Sequence, residues 1–322
     1  MRLRDSERLT IYYINVVSNS LSILGNIFIC AVYFKFQNLR TFPFKLVLIL
    51  SIFDILNSIG FLIPTYSSED SDLTCKIQSL VLNFSTLASV LWAVIIAFCL
   101  YYIIVKSRLY IENYIKYYIG SVVIICSIVS AVPFITDTYG ATAGWCWILQ
   151  TGKYDGAFYE RYFSFFIPLW LLIIISVVLY ILISRRLSQS DDSDNTRSAF
   201  NKKLKFYPMI LILCFLPFTI KGVLEHFRVD FVMKNDYYFT MVTATFRGFY
   251  GLLNAFVYGF TNKVRKTLAA YFKGDEYPEL IINFSTHTRR ASSIVGTQCT
   301  VLTKNDIFSS DSHRFSDNIS NN

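Results

Sequence analysis

Thr136–Ile148 reads TDTYGATAGWCWI and follows directly on an apolar run that ends in Pro133 and Phe134. Two tryptophans flank one cysteine, and two glycines and three small residues (Ala141, Thr142, Ala143) lead in to them. The stretch connects two greasy runs, so what fastens Cys146 decides how those runs come together.

The whole chain is unusually apolar. Of its 322 residues 54% are hydrophobic and 16% charged, against about 25% charged in soluble proteins. That composition points to a membrane protein. The net charge of +8 is no nucleic-acid signature, since membrane proteins concentrate Lys and Arg in cytoplasmic loops. No zinc spacing or RNA-binding motif accompanies it. The start, MRLRDSERLT, lacks a cleavage-site pattern, so the first apolar run is expected to act as an uncleaved anchor.

A helix needs about 20 apolar residues to span the hydrocarbon core. Seven stretches qualify: Thr10–Phe34, Phe42–Tyr66, Cys75–Val105, Ile115–Thr136, Phe158–Ile183, Leu204–Phe227 and Tyr237–Phe260. The expected architecture is an all-α seven-transmembrane helix bundle over residues 10–260, preceded by a short N-terminal segment, 1–9. NKVRKTLAAYF, within 261–272, sets Val264, Leu268, Tyr271 and Phe272 on one face and Lys263, Arg265 and Lys266 elsewhere. That is the pattern of an amphipathic surface helix. From residue 273 to 322 the chain is rich in Ser, Thr, Asn and Asp and is expected to be a disordered tail.

Basic residues set the orientation. Lys35, Arg40, Lys106, Arg108, Arg185, Arg186, Arg197, Lys202, Lys203, Lys263, Arg265 and Lys266 follow spans one, three, five and seven. The opposite loops hold only Lys153, Arg228 and Lys234, and SSEDSDLT is purely acidic. The N-terminus is therefore expected outside and the tail inside. Arg2, Arg4 and Arg8 argue the other way, and four segments outvote them.

Of seven cysteines, Cys30, Cys99, Cys126 and Cys214 fall within spans and Cys299 in the tail. Only Cys75 and Cys146 then face an oxidising compartment. Their bond would close a loop of about 70 residues, stabilising by about 4 kcal/mol on the chain-entropy model. It would pin the loop over the bundle, with Trp145 and Trp147 at the membrane–water boundary where indoles are favoured. The bland alternative is two unpaired cysteines and an ordinary interfacial Trp pair.

Taken together, these features describe a G-protein-coupled receptor, and the details resemble the chemotactic cyclic AMP receptors and the wider cyclic AMP receptor-like family. The matching strings are CKIQ (Cys75–Gln78), LWAVIIAFCLYYIIVK (Leu91–Lys106), VPFITDTYGATAGWCWI (Val132–Ile148), FFIPLW (Phe165–Trp170), FYPMILILCFLP (Phe206–Pro217) and GLLNAFVYGF (Gly251–Phe260). The likeness covers roughly Leu21 to Phe272, and the Tyr-Gly to Trp-Cys-Trp-Ile string is its most specific part. Rhodopsin-like grammar is also echoed by Gly25-Asn26, Leu50-Ser51-x-x-Asp54, Cys214-x-x-Pro217 and Asn254-x-x-x-Tyr258. Ala255 replaces the usual proline there, and Val105-Lys106-Ser107 stands where an acidic-Arg-Tyr triplet would. The cyclic AMP receptor-like branch fits better. The resemblance implies a plasma-membrane receptor that binds an extracellular small molecule, cyclic AMP or another small anion, and activates a heterotrimeric G protein.

Ionisable groups within the bilayer are functional candidates. Asp54, Asn26, Asn254 and Tyr258 are expected to form a polar cluster that rearranges on activation; the alternative is that they only join helices. Pro217 is the expected hinge of span six, a fixed kink being the alternative. Near the outer ends lie Lys76, Glu160, Arg161, Lys221, Glu225, His226 and Arg247. Lys221 and Glu225 are four apart and share a face. Arg247 needs Glu225 or a ligand anion. Lys76, Arg161, Lys221, Glu225 and Arg247, with Trp145 and Trp147, form the candidate ligand set, because Arg and Lys around one cavity suit phosphate or carboxylate. Internal salt bridges and snorkelling are the alternative.

On the inner side Lys106, Arg108, Arg185, Arg186, Lys202 and Lys203 are expected to meet the G protein and anionic lipid headgroups of the bilayer. Arg289-Arg290 before Ser292 and Ser293 suits a basophilic kinase, and a phosphorylated tail an arrestin-like regulator. No outer sequon is present, since Asn83 lies within span three and Asn283 and Asn318 in the tail. No cofactor, metal or nucleic acid is expected. A retinal protein would need a lysine in span seven, which has none. A metal hydrolase would need a His/Asp/Glu cluster with ligand spacing, and the chain offers none. The remaining rival is a seven-helix transporter of a small solute, whose usual internal repeats are not evident.

Overall fold

A computed structural model describes residues 3–67, 72–106, 110–149, 156–188, 206–259 and 261–273. Arg108, Lys202, Lys203, Ser292 and Ser293 lie outside the described residues, as does the side chain of Tyr258.

Among the described residues, six helices are long and apolar enough to cross a membrane. They are α1 (Asp5–Lys35), α2 (Phe42–Leu62), α3 (Leu73–Ile104), α4 (Ile115–Ile135), α5 (Ala157–Ser188) and α6 (Phe206–His226). The protein is a helical, multi-pass membrane protein. α1 begins five residues before the expected span, where the Glu7 carboxylate reaches back to accept from the Arg4 backbone N–H at 3.0 Å, as a Glu at the third helical position does in a capped start. A turn of π-helix, Tyr162–Phe166, widens α5 just before Pro168. The proline has no N–H to give the ordinary ladder, and the extra residue lets Phe165 and Phe166 both turn inward.

The seventh apolar stretch is helical but divided. α7 (Asp236–Gly248) stops at Phe249, and a second piece, Tyr250–Asn254, runs on into a π-turn, Ala255–Gly259. The break falls between Gly248 and Gly251, where helix propensity is weakest.

α3 occupies the middle of the unit, against α2, α4, α5 and the connector, while α1 packs on α2 and on the seventh segment. α1 turns a polar stripe inward: Asn15, Ser18, Asn19, Ser22 and Asn26 are all buried. Its apolar residues Tyr13, Val17, Leu24 and Phe34 face outward. That inversion of a soluble helix is what lipid demands, since apolar contact is free outside and polar groups need partners inside. The chain divides into two compact units, Met1–Thr261 and Asn262–Asn322. The described part of the second is one basic amphipathic helix, α8 (Asn262–Lys273).

Candidate functional site

The connector of the opening quotation folds into a small hairpin, β1 (Tyr139–Ala141) against β2 (Cys146–Ile148), antiparallel with Gly140 opposite Trp147. Gly144 turns it at φ +101°, in the left-handed region, and a Cβ there would stand 2.9 Å from the Arg8 carbonyl oxygen. Only glycine meets both conditions. Cys146 is bonded to Cys75 at the start of α3, with 5.3 Å between Cα atoms.

Gln78, one turn further along α3, seats the strand. Its Oε1 accepts from the Cys146 N–H at 2.7 Å and from the Thr65 hydroxyl, and its Nε2 donates to the Gly60 and Ile63 carbonyls at 3.0 and 3.1 Å. The Tyr139 phenol donates to the Ser130 carbonyl at 2.8 Å, and burial pushes it above the usual tyrosine range, so it remains a donor.

Held this way, the indoles are packed within the protein rather than exposed at its surface. Trp147 is 1% exposed and Trp145 6%, because the disulfide and Gln78 draw β2 into the end of the bundle. Trp147 meets two guanidiniums: Arg161 on α5 at 4.8 Å and Arg247 on α7 at 5.5 Å from its ring centroid. Arg247 is boxed by the rings of Phe218, Phe61 and Phe165 at 5.0, 5.1 and 5.8 Å. Such stacking favours a desolvated cation. It does not supply hydrogen bonds. Among the described residues Arg247 makes one, from Nη2 to Thr86 Oγ1 at 3.2 Å, while its Nε and Nη1 have no partner there. Arg161 Nε, Trp145 Nε1 and Trp147 Nε1 are likewise buried without a partner among the described residues. All five unpartnered atoms are donors.

The other expected ligand residues are already paired. Lys221 binds Glu225, as their spacing suggests, and also Asp236 at 2.8 Å. Glu225 is thereby drawn to Lys221 and forms no ion pair with Arg247, although its charge still acts on Arg161. Lys76 pairs with Asp137 at 2.5 Å, on the rim. A separate opening of about 390 Å³ lies at this end, between the starts of α1 and α7, lined by Arg4, Glu7, Lys234 and Tyr237 among others. No group of His, Cys, Asp or Glu among the described residues is placed to hold a metal.

Deeper in the bundle, three of the four residues expected in a polar cluster, Asp54, Asn254 and Asn26, lie near one another. Asp54 is 2% exposed; its Oδ1 accepts from Ser89 Oγ at 2.5 Å and its Oδ2 from Asn254 Nδ2 at 2.9 Å. Asn26 joins through the backbone, donating to the Gly251 carbonyl at 3.2 Å. Pro217 lies within α6, which continues through it. At the end away from the hairpin, Lys106, Arg185 and Arg186 are exposed.

Sequence reasoning missed Gln78, Thr86 and Ser89. The available signal was a polar residue one turn after Cys75, and hydroxyls three apart in an apolar run.

Residues 3–272 match the family model described as "Slime mold cyclic AMP receptor". The chain is 28% identical over 242 residues to cyclic AMP receptor-like protein A of Dictyostelium discoideum, covering 75% of this chain and 62% of that protein. It is 28% identical over 280 residues to G-protein coupled receptor 1 of Arabidopsis thaliana, covering 83% and 82%. To cyclic AMP receptor 4 of Dictyostelium discoideum it is 27% identical over 229 residues, covering 66% of this chain and half of that protein. The chain thus spans less than two thirds of the length of two of these three relatives. Both the family match and the relatives describe receptors of the G-protein-coupled type rather than enzymes. The chain belongs to the slime mold cyclic AMP receptor family.

Proposed function

We propose that this protein is a plasma-membrane receptor of seven crossings, N-terminus outside, that answers a small extracellular anion by activating a heterotrimeric G protein. The seventh crossing is α7 together with Tyr250–Asn254 and the π-turn that follows. The asymmetry of basic residues supports the orientation. Residues 10–260 are then the receptor domain, 261–272 a helix on the inner membrane surface and 273–322 a cytoplasmic tail.

The observation that carries the reading is the donor excess beneath the hairpin. Two buried guanidiniums and two indoles converge there with five unpartnered N–H-bearing atoms. Buried unsatisfied donors are costly, so such a site is suited to an acceptor-rich anion. Cyclic AMP, the molecule in several relatives' names, is a ligand of that chemistry. Arg247 and Arg161 are its anchors, Trp147 the lid that has to swing aside, and Trp145, Lys76, Lys221 and Glu225 the surrounding set. Binding shifts the Asp54–Asn254–Asn26 cluster, with Tyr258 and the Pro217 hinge, towards the active arrangement. The inner cleft so opened, with Lys106, Arg108, Arg185, Arg186, Lys202 and Lys203 around it, receives the G protein.

Arg247→Ala is expected to raise the half-effective ligand concentration by about 10- to 100-fold, the loss of a charged hydrogen bond, with surface expression kept. Unchanged potency in a cell assay of G-protein activation would make Arg247 merely structural. Ligand uptake without G-protein activation would favour a transporter. The tail is the proposed off-switch, through phosphorylation at Ser292 and Ser293 and an arrestin-like partner. Truncation after Lys273 is expected to slow desensitisation under sustained ligand; an unaltered time course would remove that role.

A further inference from the structure

α2, α3 and the seventh segment are joined by two polar rungs. The inner rung is Asp54–Ser89–Asn254. The outer one is Asn57–Thr86–Arg247: Thr86 Oγ1 accepts from Asn57 Nδ2 at 2.7 Å and from Arg247 Nη2 at 3.2 Å. Each helix supplies one residue to each rung. Asp54 and Asn57 are one turn apart, as are Ser89 and Thr86, while Asn254 and Arg247 are two turns apart. The pairs one turn apart on α2 and α3 share a helix face, whereas Arg247 and Asn254 come from the two pieces of the seventh segment.

Thr86 is the centre of the outer rung. It is buried, and it is the one hydrogen-bond acceptor Arg247 has among the described residues. Asn57 has a second acceptor at hand, Ser85 Oγ at 3.0 Å. Ser85 is one turn from Ser89, which holds Asp54.

We propose that Thr86 is a positioning residue that fixes the Arg247 guanidinium and ties its state to the Asp54 rung. While Arg247 leans on Thr86, the hydroxyl holds α2 and the seventh segment to α3 at one level. An anion that draws Arg247 away leaves Thr86 to Asn57 alone and lets the amide settle towards Ser85. That shift moves the α2–α3 contact one turn above Asp54. The proposal rests on Arg247 being the ligand anchor, but the coupling between the rungs exists without ligand and is measured without it.

The test uses the purified full-length chain in lipid nanodiscs, comparing wild type, Thr86→Val, Thr86→Ser, Asp54→Asn and the Thr86→Val/Asp54→Asn pair by thermal unfolding. Valine keeps the branched shape and removes the acceptor; serine keeps the acceptor and removes the methyl. Thr86→Val is expected to lower the melting temperature by about 2–4 °C and Thr86→Ser to leave it nearly unchanged. In the Asp54→Asn background the valine shift is expected to shrink by half or more, since groups that share no partner add and coupled ones do not. The reverse ranking of Val and Ser, or additive shifts, overturns the proposal. A second arm gives cyclic AMP as the probe to cells carrying the same variants, where Thr86→Val is expected to raise the half-effective concentration about tenfold and Thr86→Ser to restore it. No response from wild type, with non-additive melting retained, counts against cyclic AMP as ligand and leaves Thr86 in its place.

Discussion

Gly251→Leu is expected to abolish surface expression. A Cβ at residue 251 would overlap Ser22 Oγ and stand 3.1 Å from Asn26 Nδ2 and 3.2 Å from Asp54 Cβ. Ser22 Oγ would have to rotate away, while Asn26 and Asp54 are buried and held by hydrogen bonds. Overpacking of a dense core costs about 1–3 kcal/mol for modest additions, and leucine adds three further carbons beyond that Cβ. Gly251→Ala is the sharper measurement. Within a helix alanine is favoured over glycine by about 1 kcal/mol, so the sign of the change depends on the space alone. A lower melting temperature for the alanine variant is expected; a higher one would mean that α1 and the seventh segment stand further apart than described.

Removing the disulfide is the second large effect. Cys75 and Cys146 are 71 residues apart, and a loop of that length is worth about 4 kcal/mol on the chain-entropy model. The gain in a membrane protein is smaller, since α3 and α4 are already confined by lipid. The consequence for the site is more direct than that for stability. Trp147 is the next residue, and its ring centroid lies 4.8 Å from the Arg161 guanidinium and 5.5 Å from that of Arg247. Cys146→Ser is expected to lower ligand affinity at least tenfold and to lower the melting temperature. The Cys75→Ser/Cys146→Ser pair is expected to be no worse than either single change, because the two act as one unit. Adding Gln78→Leu to Cys146→Ser should unseat the hairpin entirely, since Gln78 is the other anchor of the Cys146 backbone. Ligand affinity equal to wild type in Cys146→Ser would detach the hairpin from recognition.

Much of this arrangement is legible in the linear chain. Orientation by basic residues leaves two cysteines on one side, and they are the bonded pair. The i, i+4 spacing of Lys221 and Glu225 is their contact. Six of the seven apolar runs are single long helices. What stays hidden depends on neighbours distant in sequence. Asp236, the second partner of Lys221, lies on the next helix. Asn57, Thr86 and Arg247 meet from three helices, and nothing in a span says which neighbour a hydroxyl faces. The preference of tryptophan for the membrane boundary does not tell that Trp145 and Trp147 are buried within the protein; the tether on Cys146 brings them there.

The polar stripe of α1 bears on how the protein is made. Ser18 and Asn19 donate to backbone carbonyls of α1 itself, whereas Asn26 also donates to the Gly251 carbonyl of the seventh segment, 225 residues away. At translation rates of about 5–20 residues per second, the first helix waits roughly 11–45 s for that partner. During the wait Asn26 keeps its bond to the Ser22 carbonyl of its own helix, and its contact with the seventh segment is still to be made. The contact between α1 and the seventh segment is therefore closed only when translation has passed Gly251, and a chain that stalls before it leaves the inward face of α1 uncovered for quality control to recognise.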